Sequence, residues 1–173
     1  LDSSIAGWVC RSGEPLLIAN TSQDHRFFKG ADAQSSFITR SILAVPLKVK
    51  NKVIGCLEAV NKEGSGTFCQ DDIETLTTLA QACRDHERLQ FEYTRRDGEA
   101  SSRAVEPHRI VSVGQRWYFV AWDTHRGDWR TFRVDRVSAP RTSGARFHPR
   151  TLPASDAAAF VRDLDVGLRR VYV

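Results

Sequence analysis

The segment RWYFVAWDTHRGDWRTFRVDRV, residues 116–137, constrains the fold more than any other part of this chain. Read as a strand, residues 116–122 place Tyr118, Val120 and Trp122 on one side and Trp117, Phe119 and Ala121 on the other, because side chains alternate along extended backbone. Both sides are apolar. Such a strand is buried on both faces, or one face is covered by a ligand or another chain. A turn through Gly127-Asp128 leads to a second strand, 129–137, on which Phe132 and Val134 share a face with Arg130 and Arg136 while Arg133 lies opposite. The arginines thus occupy both faces of a twisted strand. A guanidinium offers a planar fork to phosphate, and neighbouring aromatics stack on bases. Equally, Arg133 or Arg136 can pair with Asp135 or Asp123 around a plain core, and spacing alone does not separate the two readings.

Elsewhere the pattern predicts an α+β chain. SSIAGWVCRSGEP reads as a short helix capped by Ser4 and stopped by Gly13, with Ile5, Trp8 and Val9 on one face. PLLIAN is a brief strand, and residues 20–40 form an irregular connection with one short helix around DHRFF. SILAVPLKV and KVIGCLEAVN, separated by Lys50-Asn51, make an antiparallel hairpin whose Pro46 favours an edge or a bulge. The clearest helix follows in GTFCQDDIETLTTLAQACRDHERL, with Asp71 and Glu74 in capping-box spacing and Ile73, Leu76, Leu79, Ala80 and Cys83 as its stripe. RLQFEYT alternates, with Leu89, Phe91 and Tyr93 on one face, and the turn RRDG folds it onto EASSRAVEP. SDAAAFVRDL is a last helix capped by Ser155.

Charge divides the chain in two. Residues 1–83 carry eight basic and nine acidic side chains, net −1; residues 84–173 carry seventeen and twelve, net +5, and all seventeen are arginines. All five lysines lie in the first part. The change in usage predicts two modules, 1–83 and 84–173, joined within the helix 71–88. The chain contains no methionine, from which a fragment or a recombined, chimeric chain is expected. There is no run of about 18 apolar residues and no basic, then apolar, N-terminal leader, so neither membrane association nor export is indicated and a cytoplasmic location is the default. Cys10, Cys56, Cys69 and Cys83 show no C-x-x-C spacing and are expected as reduced thiols, without zinc. Catalysis needs a nucleophile beside a base, or an acid and base pair. The five histidines are scattered and no nucleophile elbow, phosphate loop or metal motif occurs, so neither an enzyme nor a cofactor or metal is expected.

Two resemblances add to this. The order LQFEYTRRDG, R-x-VEP, VSVGQRWYFVAWD and DWRTFRVDRV is similar to the WYL domain over roughly residues 84–153, with Trp117-Tyr118-Phe119 standing for the Trp-Tyr-Leu triplet. The resemblance implies a small Sm-like or SH3-like bent antiparallel β-barrel with a C-terminal helix, in a sensor of transcription regulators. Its effectors would be single-stranded nucleic acid or nucleotides, and Arg103, His108, Trp117, Tyr118, Arg130, Arg133 and Arg136 become the effector-binding positions. The first module resembles the C-terminal part of a GAF domain, through SIAGWVCRSGEPLLIANTSQDHRFF, FITRSILAVPLKVKNKVIGCLEAVNK and FCQDD. Asn61, Lys62, Phe68 and Asp72 match a GAF signature of mainly structural role, in which Lys62 would bridge to Asp72; Ile73 departs from it. Phe37, Thr39 and Glu58 would face the ligand of a GAF-like pocket, possible partners being a cyclic nucleotide there and a second copy in a homodimer. The helix and two strands expected upstream are missing, which implies a partial domain with an exposed sheet edge. A regulatory, non-enzymatic ligand sensor is the resulting expectation; an oligomerisation or interaction scaffold is the alternative.

Overall fold

A computed structural model describes residues 4–27, 38–62, 66–113 and 116–162. The chain divides into two compact units, Leu1–Thr77 and Thr78–Val173, and the division falls inside a helix.

In the first unit, α1 (Ile5–Ser12) begins where the Ser4 hydroxyl accepts the Gly7 N–H at 3.1 Å, satisfying one of the donors that every helix start leaves open. It ends at Gly13, whose φ of 68° is left-handed and whose N–H returns to the Val9 carbonyl. Three antiparallel strands follow, β1 (Leu16–Ile18), β2 (Ile42–Val49) and β3 (Lys52–Val60), in the order β1-β2-β3. Ile5 and Val9 of α1 pack with Leu16, Ile18, Ile42 and Ala44. β1 pairs with β2 only as far as Ala44, so Pro46 lies past it, where its missing N–H costs no ladder bond, and a bulge follows at Leu47/Lys48. The helical turn expected at DHRFF is displaced to a 3-10 turn, Thr21–Gln23, because the Asn20 side chain caps it through the Ser22 N–H. Residues 24–27 form a bend in which Asp24 holds Arg26, and Phe28 lies outside the described residues.

Helix α2 (Gln70–Asp85) is shared by the two units. Its cap differs from the Asp71/Glu74 expectation: Asp72 reaches back to accept the Cys69 N–H at 2.8 Å. Ile73, Leu76, Leu79 and Ala82 are its buried residues, while Ala80 and Cys83 are half-buried.

The second unit is one antiparallel sheet of β4 (Glu87–Thr94), β5 (Ala100–Val113), β6 (Arg116–Asp123), β7 (Asp128–Arg133) and β8 (Val137–Arg146), ordered β7-β6-β5-β4-β8. The expected strand 129–137 stops at Arg133, and a 3-10 turn, Val134–Arg136, carries the chain to β8. β7 and β8 are opposite edges of the sheet. In a flat sheet four steps of about 4.8 Å would hold them about 19 Å apart, yet the four residues from Arg133 to Val137 reach at most about 14 Å. The sheet must therefore curl. Inside the curl Leu79 and Ala82 of α2 meet Leu89, Phe91, Phe119 and Phe132, with Phe91 edge-on to Phe119 at 5.9 Å and to Phe132 at 5.1 Å. On the other face, Val120 is covered by Ala157 and Val161 of a third helix, 157–162. Both faces of β6 are thus covered by its own chain. The cap of the third helix is Asp156, which accepts the Ala159 N–H at 2.7 Å, and not Ser155. The segment leading to it is anchored by Arg150, which pairs with the buried Glu106 at 2.9 Å and lies over the Trp122 ring at 4.5 Å.

Candidate functional site

Strand register puts arginine where the inner face of the curled sheet runs out of core. Phe91 stands opposite Arg103 on β5, and Ala121 opposite Arg130 on β7, so both arginines continue the rows that bury Phe91, Phe119 and Phe132. On β4 the same alternation runs Leu89, Phe91, Tyr93 and then Arg95 just past the strand. At this end lies a cleft of about 290 Å³ lined by Tyr93, Arg95, Arg103, Asp123, Arg126, Arg130, Thr131 and Phe132. Tyr93 and Phe132, edge to face at 5.1 Å, form its aromatic part.

Four guanidinium groups meet a single carboxylate in that lining. Asp123 is fully buried and already engaged: one oxygen accepts the His125 and Arg126 N–H groups of the β6–β7 turn at 3.0 and 3.1 Å, and the other faces Arg103 at 3.5 Å. Arg103 also donates to the Ser101 hydroxyl at 3.1 Å, but its Nε is buried with no hydrogen-bond partner among the described residues. Arg95 reaches Glu99 only at 3.4 Å and Arg130 reaches Asp128 only at 4.0 Å, both exposed pairs of little energy. No carboxylate of the described residues lies in ion-pair range of Arg126. The arrangement is a positive cleft able to take an anion, with the half-buried Tyr93 ring beside it.

Of the residues expected from sequence, Arg103 and Arg130 come together here. Arg133 turns away, its guanidinium gripping Asp135 at 3.0 and 2.5 Å while its N–H donates to the Tyr93 hydroxyl. Tyr118, opposite Arg133 on β6, packs with the Val120 cluster under the third helix. His108 sits at the β5 bulge, edge-on to Trp129 at 5.2 Å; burial first, then Arg109 and His86, holds its pKa below the ordinary value. Trp117, half-buried opposite Ser112, and Arg136, in the 3-10 turn, do not line the cleft. Tyr93, Arg95, Arg126, Phe132 and the organising role of Asp123 were not foreseen as site features. The alternation that buries Leu89 and Phe91 contained the signal for the first two.

In the first unit the Lys62 ammonium lies 2.6 Å from the Asp72 carboxylate. Asn61, at φ 53°, accepts the Arg40 N–H at 2.7 Å and donates to the Ile38 carbonyl at 2.7 Å, while Phe68 is half-buried. These contacts staple the loop before β2 and the start of α2. Thr39 is buried, and its carbonyl accepts the Thr21 hydroxyl. Glu58 is half-buried, and burial raises its pKa although the Ala6 N–H, at the start of α1, donates to it. Phe37 lies outside the described residues. Among the described residues no group of three or more His, Cys, Asp and Glu could hold a metal ion, and no helix is long and apolar enough to cross a membrane.

The GAF domain family model matches residues 1–85, and the WYL domain family model matches residues 74–142. The two overlap over 74–85, within α2. Among curated proteins, the probable 3',5'-cyclic phosphodiesterase pde-5 of Caenorhabditis elegans is 34% identical over 83 residues, 48% of this chain and 11% of that protein. The cone cGMP-specific 3',5'-cyclic phosphodiesterase subunit alpha' of Mus musculus is 31% identical over 77 residues, 44% of this chain and 9% of that protein. The chain thus spans about a tenth of the length of these relatives, and the likeness lies in the GAF part rather than in a catalytic domain. Among solved structures, proteasome accessory factor B/C (PafBC) of Arthrobacter aurescens aligns with a TM-score of 0.44 and 26% identity, over 53% of this chain and 15% of that one. Both matched domain types are regulatory rather than catalytic.

Proposed function

We propose that this chain, a GAF domain joined to a WYL domain, is a non-enzymatic ligand-sensing module whose second unit binds an anionic effector, a nucleotide or single-stranded nucleic acid, at the arginine cleft. The observation that carries the reading is the convergence of Arg95 and Arg103 of the β4–β5 hairpin with Arg126 and Arg130 of the β6–β7 hairpin around one carboxylate that is already engaged. Tyr93 beside them, half-buried where Phe132 belongs to the core, supplies stacking surface, worth about 1–3 kcal/mol per base in single-strand binding. The curled five-stranded sheet is read here as the Sm-like or SH3-like barrel of the WYL resemblance, with the cleft at its mouth. In the first unit the Glu58 carboxylate already accepts the Ala6 N–H, which favours placing effector binding in the second unit.

The test is fluorescence anisotropy of a labelled single-stranded oligonucleotide titrated with the chain at several salt concentrations. Binding should weaken linearly in log salt with a slope of about −0.7 per neutralised phosphate. Arg130→Ala should weaken binding and flatten the slope by about one such contact, while Arg133→Ala should change neither. Absence of binding at low salt would sink the proposal.

A further inference from the structure

Resting on that reading, we infer that the cleft takes a terminal phosphate, the phosphomonoester end of an oligonucleotide or a free nucleotide, in preference to the internal phosphodiesters of a strand. Size is the first reason. Its volume of about 290 Å³ lies at the bottom of the range for small-molecule sites, about 300–1,000 Å³, whereas proteins that track single strands cover about 4–16 nucleotides per fold in an extended groove.

Shape is the second. Two of the lining residues, Phe132 and Asp123, are 4% and 0% exposed, and Phe132 belongs to the core, so the cleft backs onto the core on that side. A strand threading through would need an exit where the core lies. A strand end needs none.

Charge is the third. A phosphomonoester carries about −1.5 to −2 charges and three free oxygens at pH 7, and an internal phosphodiester carries about −1. Cations that follow a backbone are spread along it, whereas here the guanidinium groups of Arg95, Arg103, Arg126 and Arg130 surround one small volume. The only carboxylate in the lining does not oppose a dianion freely, because Arg103 and two turn N–H groups occupy its oxygens.

The experiment compares oligonucleotides of one sequence with an internal fluorophore: one with a 5′-phosphate, one with a 3′-phosphate, and one with hydroxyls at both ends. A terminal phosphate should tighten binding at least about tenfold, which corresponds to about 1.4 kcal/mol. Arg126→Ala, a change at an exposed turn residue, should erase that preference, and Arg133→Ala, outside the cleft, should keep it. Adenosine monophosphate as competitor separates the two sources. Displacement at similar concentration indicates a free nucleotide, failure to displace indicates a strand end, and both support a terminal phosphate. Equal binding of all three oligonucleotides overturns this inference while the proposed function stands, as does an unaltered preference in Arg126→Ala. No binding of any of them overturns both.

Discussion

Two carboxylates illustrate what one residue does in each unit. Asp123 disappears into the sheet and trades hydration for two turn N–H groups and Arg103. Asp72 stays partly exposed and ties Lys62 to the start of α2. Burial alone would raise the pKa of Asp72, but hydrogen bonds from Lys62 and from the Cys69 N–H outweigh it, and the carboxyl sits below its ordinary 3.8. A carboxyl depressed in the folded state adds stability above its unfolded pKa, and that stability is lost as pH falls through the folded value. Urea midpoints measured from about pH 5 down to about pH 2 should therefore fall with acid, and Lys62→Ala should show a shallower fall. An identical slope in both proteins would mean that the link contributes nothing. At this scale the sequence was informative where a residue's partner is local or belongs to a known signature, as with Ser4, Gly13 and the Lys62–Asp72 pair. It offered Asp123 as a partner of Arg133 or Arg136, whereas the structure pairs it with Arg103, 20 positions away across a strand pair.

At the scale of elements, periodicity carried most of the fold. α1, the β2–β3 hairpin, α2, β4 and β6 fall where apolar alternation or a helical stripe places them. The long strand β8 went unread for a physical reason. Of its ten residues only Val137 is buried, so VSAPRTSGAR presents no apolar alternation, and its pairing with β4 depends on backbone bonds that leave no mark on side-chain pattern. Pro140, Arg141 and Arg146, with the left-handed backbone of Ala139, suit an outer strand protected against pairing with other chains. The starts of α1 and of the third helix were legible to within one residue, since Asp and Ser neighbours compete for the cap, whereas the turn expected at DHRFF lies three residues upstream, at Thr21–Gln23. Asp156→Ala should cost about 1 kcal/mol by chemical denaturation, the usual worth of an N-cap, while Ser155→Ala should cost little. The reverse order would restore Ser155 as the cap.

For the whole molecule, the charge division along the sequence has a structural counterpart, because the arginines that line the cleft all belong to the arginine-only second half. If the cleft binds an anion in the native state, mass action must stabilise that unit. An oligonucleotide at about 100 times its Kd should add about 2.7 kcal/mol, seen as a raised midpoint in tryptophan fluorescence, since Trp117, Trp122 and Trp129 lie in the second unit. The shift should shrink in Arg130→Ala; concentration-dependent mass with no shift would favour the scaffold alternative. By itself the sequence determined the α+β class, the two domain types, the principal strands and helices, and an arginine excess beside aromatics, because these rest on local pattern and composition. Only the tertiary structure decided which arginines share one cleft. The curl brings β4, β5 and β7 to one cleft and gathers Arg95, Arg103, Arg126 and Arg130 there, since register and curvature arise from pairing between residues far apart in the chain, whereas the Arg133–Asp135 pair, two residues apart, was already offered by the sequence.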